Sequence, residues 1–319
     1  MRSIPLFTVV VTGLLAGLVS PAWAECGPVD SEALRWLDRM SHSLRETSYR
    51  GVFTYQHGGS IQAMRITHSV KNNIESEQIT RLSGAPAQVQ RTEHPLDCIH
   101  PGHRLVRIGE VFQGAAGSCG LSAYYRLKMA GVKRIAERRA VLLNVMPRDM
   151  YRYGYQLALD TETGLLLKTQ TMSLDGKRVL ERFQFADLEI GDVELAGTHV
   201  DVLHEAAHSH GEPAPAPEGA ASWGVRWLPG GFMLTDGRGV SAHNKTFTDG
   251  LAVFTVFLEP APQQLQPGEG QAREGGTTAY TRGLLIEGKP ALVTVLGEVP
   301  INTARRVADS VAWANPDVN

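Results

Sequence analysis

The chain has 319 residues, with 31 Lys and Arg against 33 Asp and Glu, a formal net charge of −2 and a pI near 6.6. No basic excess is available to coat a phosphate backbone, so nucleic acid is excluded as an expected partner. The length suits two domains, each able to bury its own core.

The N-terminus reads as an export signal. Arg2 precedes an apolar run from Phe7 to Val19 that ends in Ala22-Trp23-Ala24, a small-x-small cleavage pattern, so residues 1–24 are expected to be a signal peptide. No later run approaches the roughly 18 consecutive apolar residues a membrane helix needs. The mature protein is therefore expected to be soluble outside the cytoplasm. A lipid anchor at Cys26 is disfavoured, because Trp23 and Glu25 are poor fits to the small residues a lipoprotein signal places before its cysteine.

Asp30 is placed to cap a helix through Leu34, Leu37, Met40 and Leu44, with Arg35, Asp38, Arg39 and Arg45 on its solvated side. YRGVFTYQH and IQAMRITHSV, separated by Gly58-Gly59-Ser60, predict a hairpin. A third strand is expected from Ile74 to Leu82, at an edge or facing water because its apolar side chains are sparse. Cys98 and Cys119 bracket a Pro/Gly-rich segment, and an oxidising compartment favours their disulfide, which would stabilise the fold by about 3 kcal/mol. The competing reading makes Cys119 a nucleophile assisted by His100 or His103. It is disfavoured in an exported protein, where such a thiol would be open to oxidation.

A short helix is expected over Ser122 to Met129, followed by an extended VKRIAERRAVLLNVM whose Arg-rich half reads as a solvated face rather than a site for an acidic partner or lipid phosphates. From Val145 to Leu188 the pattern is a strand meander. Tyr153, Tyr155, Leu157 and Leu159 share one face, and Asp160 to Gly164 and Asp175-Gly176 supply the turns.

Near residue 200 the composition shifts to His, Ala and Pro. This predicts a linker at 199–221 between an N-terminal domain, 25–198, and a small C-terminal domain, 222–319. In the second domain, WGVRWLPGGFMLT, FTDGLAVFTVFLEP, TTAYTRGLLIEG and ALVTVLGEVP predict strands. Ile301 to Trp313 predicts a closing helix, and Pro262 to Gly276 a mobile loop.

Catalytic chemistry finds little support. His204-Glu205-Ala206-Ala207-His208 matches H-E-x-x-H, whose spacing would put two imidazoles on one helical face around zinc. Here the motif runs straight into a proline spacer and has no obvious third ligand, so no metal site is expected. G-x-S-x-G, P-loop, G-x-G-x-x-G and C-x-x-C patterns do not appear. Asp149, Asp160 and Glu181 each sit beside turn or strand chemistry that explains them. Neither an enzyme activity nor a cofactor is expected.

Several motifs carry a family likeness. Met146-Pro147-Arg148-Asp149, Tyr151-Arg152-Tyr153-Gly154-Tyr155, Thr163-Gly164-Leu165 within the Asp160 to Leu167 turn, and Leu180-Glu181-Arg182-Phe183-Gln184-Phe185 are four of them. Trp227-Leu228-Pro229-Gly230-Gly231-Phe232, Asp249-Gly250-Leu251-Ala252, Phe254, Phe257-Leu258-Glu259-Pro260 and Gly297-Glu298-Val299-Pro300 continue the series. Through them, and through its leader, the sequence resembles the RseB/MucB family of periplasmic regulators of the sigma-E envelope stress factor.

The resemblance implies an α+β fold: a large N-terminal open antiparallel β-barrel with covering helices, similar to LolA and LolB, and a small α+β C-terminal domain. It also implies a periplasmic location and binding to the periplasmic domain of a membrane-bound anti-sigma factor, which is thereby protected from regulated proteolysis. Lipid or lipopolysaccharide would occupy the cavity and loosen that grip. A homodimer is left open.

For a lipid cavity the candidate residues are Phe53, Tyr55, Met64, Leu142, Leu157, Leu166 and Phe183, each equally serviceable as ordinary core. For a partner surface they are Arg148, Tyr151, Arg152 and Tyr153, with Trp227 and Phe232 across the linker. Arg and aromatic side chains anchor interfaces when they stay exposed. The rival readings are a periplasmic lipid or lipoprotein carrier and an H-E-x-x-H zinc hydrolase.

Overall fold

A computed structural model describes residues 31–95, 117–195, 204–205, 223–235, 243–261, 268–286 and 288–313. The expected signal segment, Asp30, Cys26, Cys98 and so the expected Cys98–Cys119 disulfide, and most of the 199–221 stretch lie outside these residues.

Helix α1 (Ser31–Glu46) buries Ala33, Leu37 and Met40 completely. Apolar residues recurring every three to four positions give it the stripe that docks on the first sheet. That sheet has ten strands: β1 (Tyr49–His57), β2 (Ser60–Lys71), β3 (Ile74–Arg81), β4 (Gln88–Pro95), β5 (Tyr125–Ile135), β6 (Arg138–Pro147), β7 (Gly154–Asp160), β8 (Leu166–Met172), β9 (Val179–Ile190) and β10 (His204–Glu205). Their spatial order is β10-β4-β3-β2-β1-β9-β8-β7-β6-β5. Neighbours run antiparallel except β10, which lies parallel to β4, and among the described strands β5 and β10 end the sheet and do not pair with each other.

Three expectations change here. The strand from Ile74 is not at an edge, because β4, which the pattern did not disclose, pairs on its far side. Its polar character is tolerated because buried Glu75 reaches His68 at 3.3 Å and buried Gln78 donates to Gln90 at 3.4 Å. The helix expected over Ser122 to Met129 is instead a 3-10 turn (Gly117–Ala123) followed by β5. Tyr125, Leu127 and Met129 alternate toward the α1 core, so the strand period wins.

The Arg-rich stretch folds as the β5–β6 hairpin through Ala136-Glu137, both at positive φ (47° and 62°). Asn72-Asn73 does the same between β2 and β3. A two-residue hairpin turn demands that conformation, and Ala and Glu give no local warning of it. The meander turns follow their residues more openly. Asp160 accepts from the Thr163 N–H (2.9 Å) and hydroxyl (2.8 Å), and Gly164 takes φ 85°.

After β11 (Trp223–Val225), a six-stranded sheet contains β12 (Met233–Leu234), β13 (Asn244–Thr248), β14 (Val253–Pro260), β15 (Glu269–Glu274), β16 (Thr277–Ile286) and β17 (Lys289–Gly297). Its order is β12-β13-β14-β17-β16-β15. Helix α2 (Ile301–Asp309) packs Ala304, Val307 and Ala308 with Phe254, Val256, Tyr280, Val293 and Val295 in one core.

Two more corrections fall here. Part of the expected loop from Pro262 to Gly276 is strand β15, exposed along its length. The closing helix stops at Asp309, and β18 (Val311–Trp313) pairs back on β11, Trp313 opposite Trp223, because that pairing returns two aromatic side chains to the core.

Candidate binding site

The two sheets meet on Arg152, whose side chain is fully buried although it carries a charge. Such a group needs partners for every donor. Its Nη1 donates to Asp249 Oδ2 at 2.7 Å, its Nε and Nη2 to Asp149 at 3.2 and 3.0 Å, and its Nη2 also to the Gly230 carbonyl at 2.5 Å. The guanidinium lies within 5.1 to 5.4 Å of the ring centres of Tyr124, Tyr125 and Phe232, which adds cation–π attraction. Burial opposes the charge, but Asp249 and Asp149 outweigh it and raise the Arg152 pKa above its ordinary value. Burial, and then the Asp249 charge, lift the Tyr125 phenol well above its usual range.

Asp249 is equally buried and fully used. Oδ2 also accepts from the Tyr125 hydroxyl (2.8 Å), and Oδ1 accepts from the Leu251 and Ala252 N–H groups (3.0 and 2.8 Å). Those two bonds shape the turn, helped by Gly250 at φ 94°, so that Leu251 enters the first sheet's core among Leu37, Tyr125, Leu143 and Tyr155. Gly231 at φ 87° lets the 229–232 turn press on Tyr124, where a Cβ would come within 2.4 Å of the ring.

Outside this knot lies a half-exposed layer. Tyr151 meets Trp227 edge to face at 5.1 Å between ring centres, Arg306 lies 4.2 Å over Trp227, and Arg306 donates to the Tyr151 hydroxyl at 2.7 Å. The first turn of α2 adds Thr303 and Asn302, which donate to the Tyr151 and Met150 carbonyls at 2.8 and 3.2 Å.

The residues expected to form a partner surface are thus gathered together, but not in the expected state. Arg152, Tyr153 and Phe232 are buried: Arg152 is enclosed by Asp249 and the Gly230 carbonyl of the other sheet's segment, and Phe232 packs on Phe254 in the core of its own sheet. Arg148 is exposed and donates to the Ser122 carbonyl at 3.0 Å, and Tyr151 and Trp227 keep an accessible side. Asp249, Leu251, Tyr125 and Arg306 were missed as members. Asp249-Gly250-Leu251-Ala252 stood out as a motif, yet nothing local told what it grips.

The lipid candidates divide between two cores. Phe53, Tyr55, Met64 and Phe183 pack around Phe185, with Phe53 and Phe183 at 4.8 Å and Phe183 edge-on to Phe185 at 5.1 Å; Leu142 joins from the neighbouring cross-strand row. Leu157 and Leu166 belong to the core beneath α1. Leu157, Thr169, Phe183 and Tyr55 nevertheless form one cross-strand row, so one sheet face links the two cores. In the H-E-x-x-H stretch, His204 and Glu205 form β10 rather than helix, and the remainder lies outside the described residues.

Such an arrangement defines a class: a two-sheet binding protein whose polar side chains at the junction hold the sheets together. The family model of the MucB/RseB N-terminal domain matches residues 32–209, and that of the MucB/RseB C-terminal domain matches residues 217–312. The chain is 34% identical to the sigma factor AlgU regulatory protein MucB of Pseudomonas aeruginosa, over 88% of this chain and 91% of that protein. It is 27% identical to the sigma-E factor regulatory protein RseB of Haemophilus influenzae, over 98% and 100%. A crystal structure of MucB in complex with MucA(peri) superposes with a TM-score of 0.67 at 33% identity, covering 89% of this chain and 99% of that one. The protein belongs to the MucB/RseB family.

Proposed function

We propose that this protein is a periplasmic negative regulator of an envelope-stress sigma factor. It binds the periplasmic domain of a membrane-bound anti-sigma factor and protects it from regulated proteolysis, and lipid or lipopolysaccharide weakens the hold. The observation that carries this reading is the likeness, across both sheets, to MucB in complex with MucA(peri). The relatives are regulatory proteins, in keeping with a non-enzymatic role.

In this reading α1 and strands β1 to β9 of the first sheet form a LolA-like open barrel, residues 25–198, to which β10 is added from the 199–221 stretch, and the second sheet with α2 is the C-terminal domain, residues 222–319. The aromatic face around Phe53, Tyr55 and Phe183 takes acyl chains, each buried methylene contributing about 0.8 kcal/mol. Arg148, Tyr151 and Trp227 are the accessible candidates for contact with the anti-sigma segment, an Arg and two aromatics of the kind that anchor interfaces. Capture of the purified periplasmic segment on immobilised protein, and its survival against a periplasmic protease with and without lipopolysaccharide, tests the proposal. Binding with protection that falls on adding lipid is expected; no binding and no protection would refute it.

A further inference from the structure

Besides the Arg152 junction, the second sheet touches the first at the β15–β16 turn. On one face of the first sheet, alternation and register stack three rows: Phe53 opposite Phe185, Tyr55 opposite Phe183, then His57 opposite Glu181 with Thr171 beside it. The face therefore passes from aromatic to polar toward its end, and the turn caps that polar end. The Gly276 N–H donates to Glu181 Oε2 at 3.1 Å, and His57 Nδ1 lies 3.0 Å from Glu274 Oε1. Contact is backbone-close. A Cβ at residue 275 would stand 3.1 Å from the His57 Cβ, and one at residue 276 would stand 3.1 Å from Thr171 Cγ2.

We propose that the β15–β16 turn is a detachable strap over the polar end of the aromatic face, and that an acyl chain reaches Tyr55 and Phe183 only when the strap lifts. The proposal deepens the lipid reading given above and rests on it. The hold is slight: one backbone hydrogen bond and a polar contact from His57 Nδ1 to Glu274, whose side chain is 77% exposed, a kind worth little in water. Release strands no charge, since Glu181 keeps the Tyr55 hydroxyl at 3.0 Å and the Thr171 hydroxyl at 3.0 Å. Strand β15, exposed at all its residues and outermost among the described strands of its sheet, can follow the turn while the Arg152 junction stays closed.

The test locks the strap and frees it. In Thr171→Cys/Gly276→Cys the new sulfur at 171 takes the place of Thr171 Cγ2, within bridging reach for a disulfide whose Cβ atoms stand about 3.8 Å apart. Titration with a dansyl-labelled fatty acid is compared between the oxidised and reduced double variant. The wild type and each single-cysteine variant under the same conditions serve as controls. The oxidised form is expected to bind about tenfold more weakly than the reduced form, because its binding-competent population is removed. Glu274→Ala, an exposed change that removes the contact with His57, is expected to bind a few-fold more tightly than wild type. Equal binding by locked, reduced and Glu274→Ala proteins would overturn the strap while leaving the lipid reading in place. No binding by any form, wild type included, would overturn both.

Discussion

The Arg152 junction and the β15–β16 turn, both contacts between the sheets, are opposites in construction. At the first, Arg152 and Asp249 are fully buried, every polar atom named there has a partner, and Leu251 inserts into the neighbouring core. At the second, a glycine turn rests on Glu181 through one N–H, and His57 touches a Glu274 side chain that is open to water. Burial separates them: a dry charge pair is costly to split because each partner is left uncompensated, whereas water takes over the partners of a wet one.

The largest expected effect breaks the dry contact. Arg152→Met leaves Asp249 buried without its counter-ion and is expected to lower stability by about 3–5 kcal/mol, read as a fall in the urea midpoint. Next, Leu251→Ala empties a site in the α1 core and is expected to lose about 3 kcal/mol in the same measurement. If either change proves silent, the junction is not the rigid contact described. At the wet contact Glu274→Ala is expected to shift stability by less than about 1 kcal/mol; a larger loss would make the two contacts alike.

A pH-dependent effect, independent of both contacts, comes from a charge pair elsewhere. Burial lowers the His68 pKa, but the bond to Glu75 more than reverses this, so it is raised above 6.5 in the folded protein. The folded state then holds a proton that the unfolded chain has released. The stabilisation is full below pH 6.5 and is lost as pH rises through the folded pKa, with a slope of at most about 1.4 kcal/mol per pH unit. Unfolding midpoints measured across that window should fall with pH in the wild type and lose this component in His68→Gln.

Family motifs and structural roles coincide more closely than the residues alone disclose. Asp149, Tyr151-Arg152, Gly230-Gly231-Phe232 and Asp249-Gly250-Leu251-Ala252, which carry the likeness in sequence, are the parts that close the junction. Gly297 fits the same account inside the second sheet, where a Cβ would lie 2.4 Å from the Phe254 Cα. Phe53, Tyr55 and Phe183 were singled out from the sequence as apolar strand residues, whereas Phe185, at the centre of their cluster, was not. Strands β4 and β15 were not legible, since polar strands at or near sheet margins show little apolar period.

What the amino-acid order determined by itself is local: helix α1 from its 3.6-residue stripe, the meander from its period of two, and the turns at Asp160 to Gly164 and Asp175-Gly176 from residues that accept them. Only the tertiary structure decided that Arg152 is an interior residue rather than a surface anchor, because its counter-ion lies 97 positions away, and that Glu181 meets a glycine 95 positions on. A charge's fate depends on what the fold brings beside it, and periodicity along the chain carries no record of that.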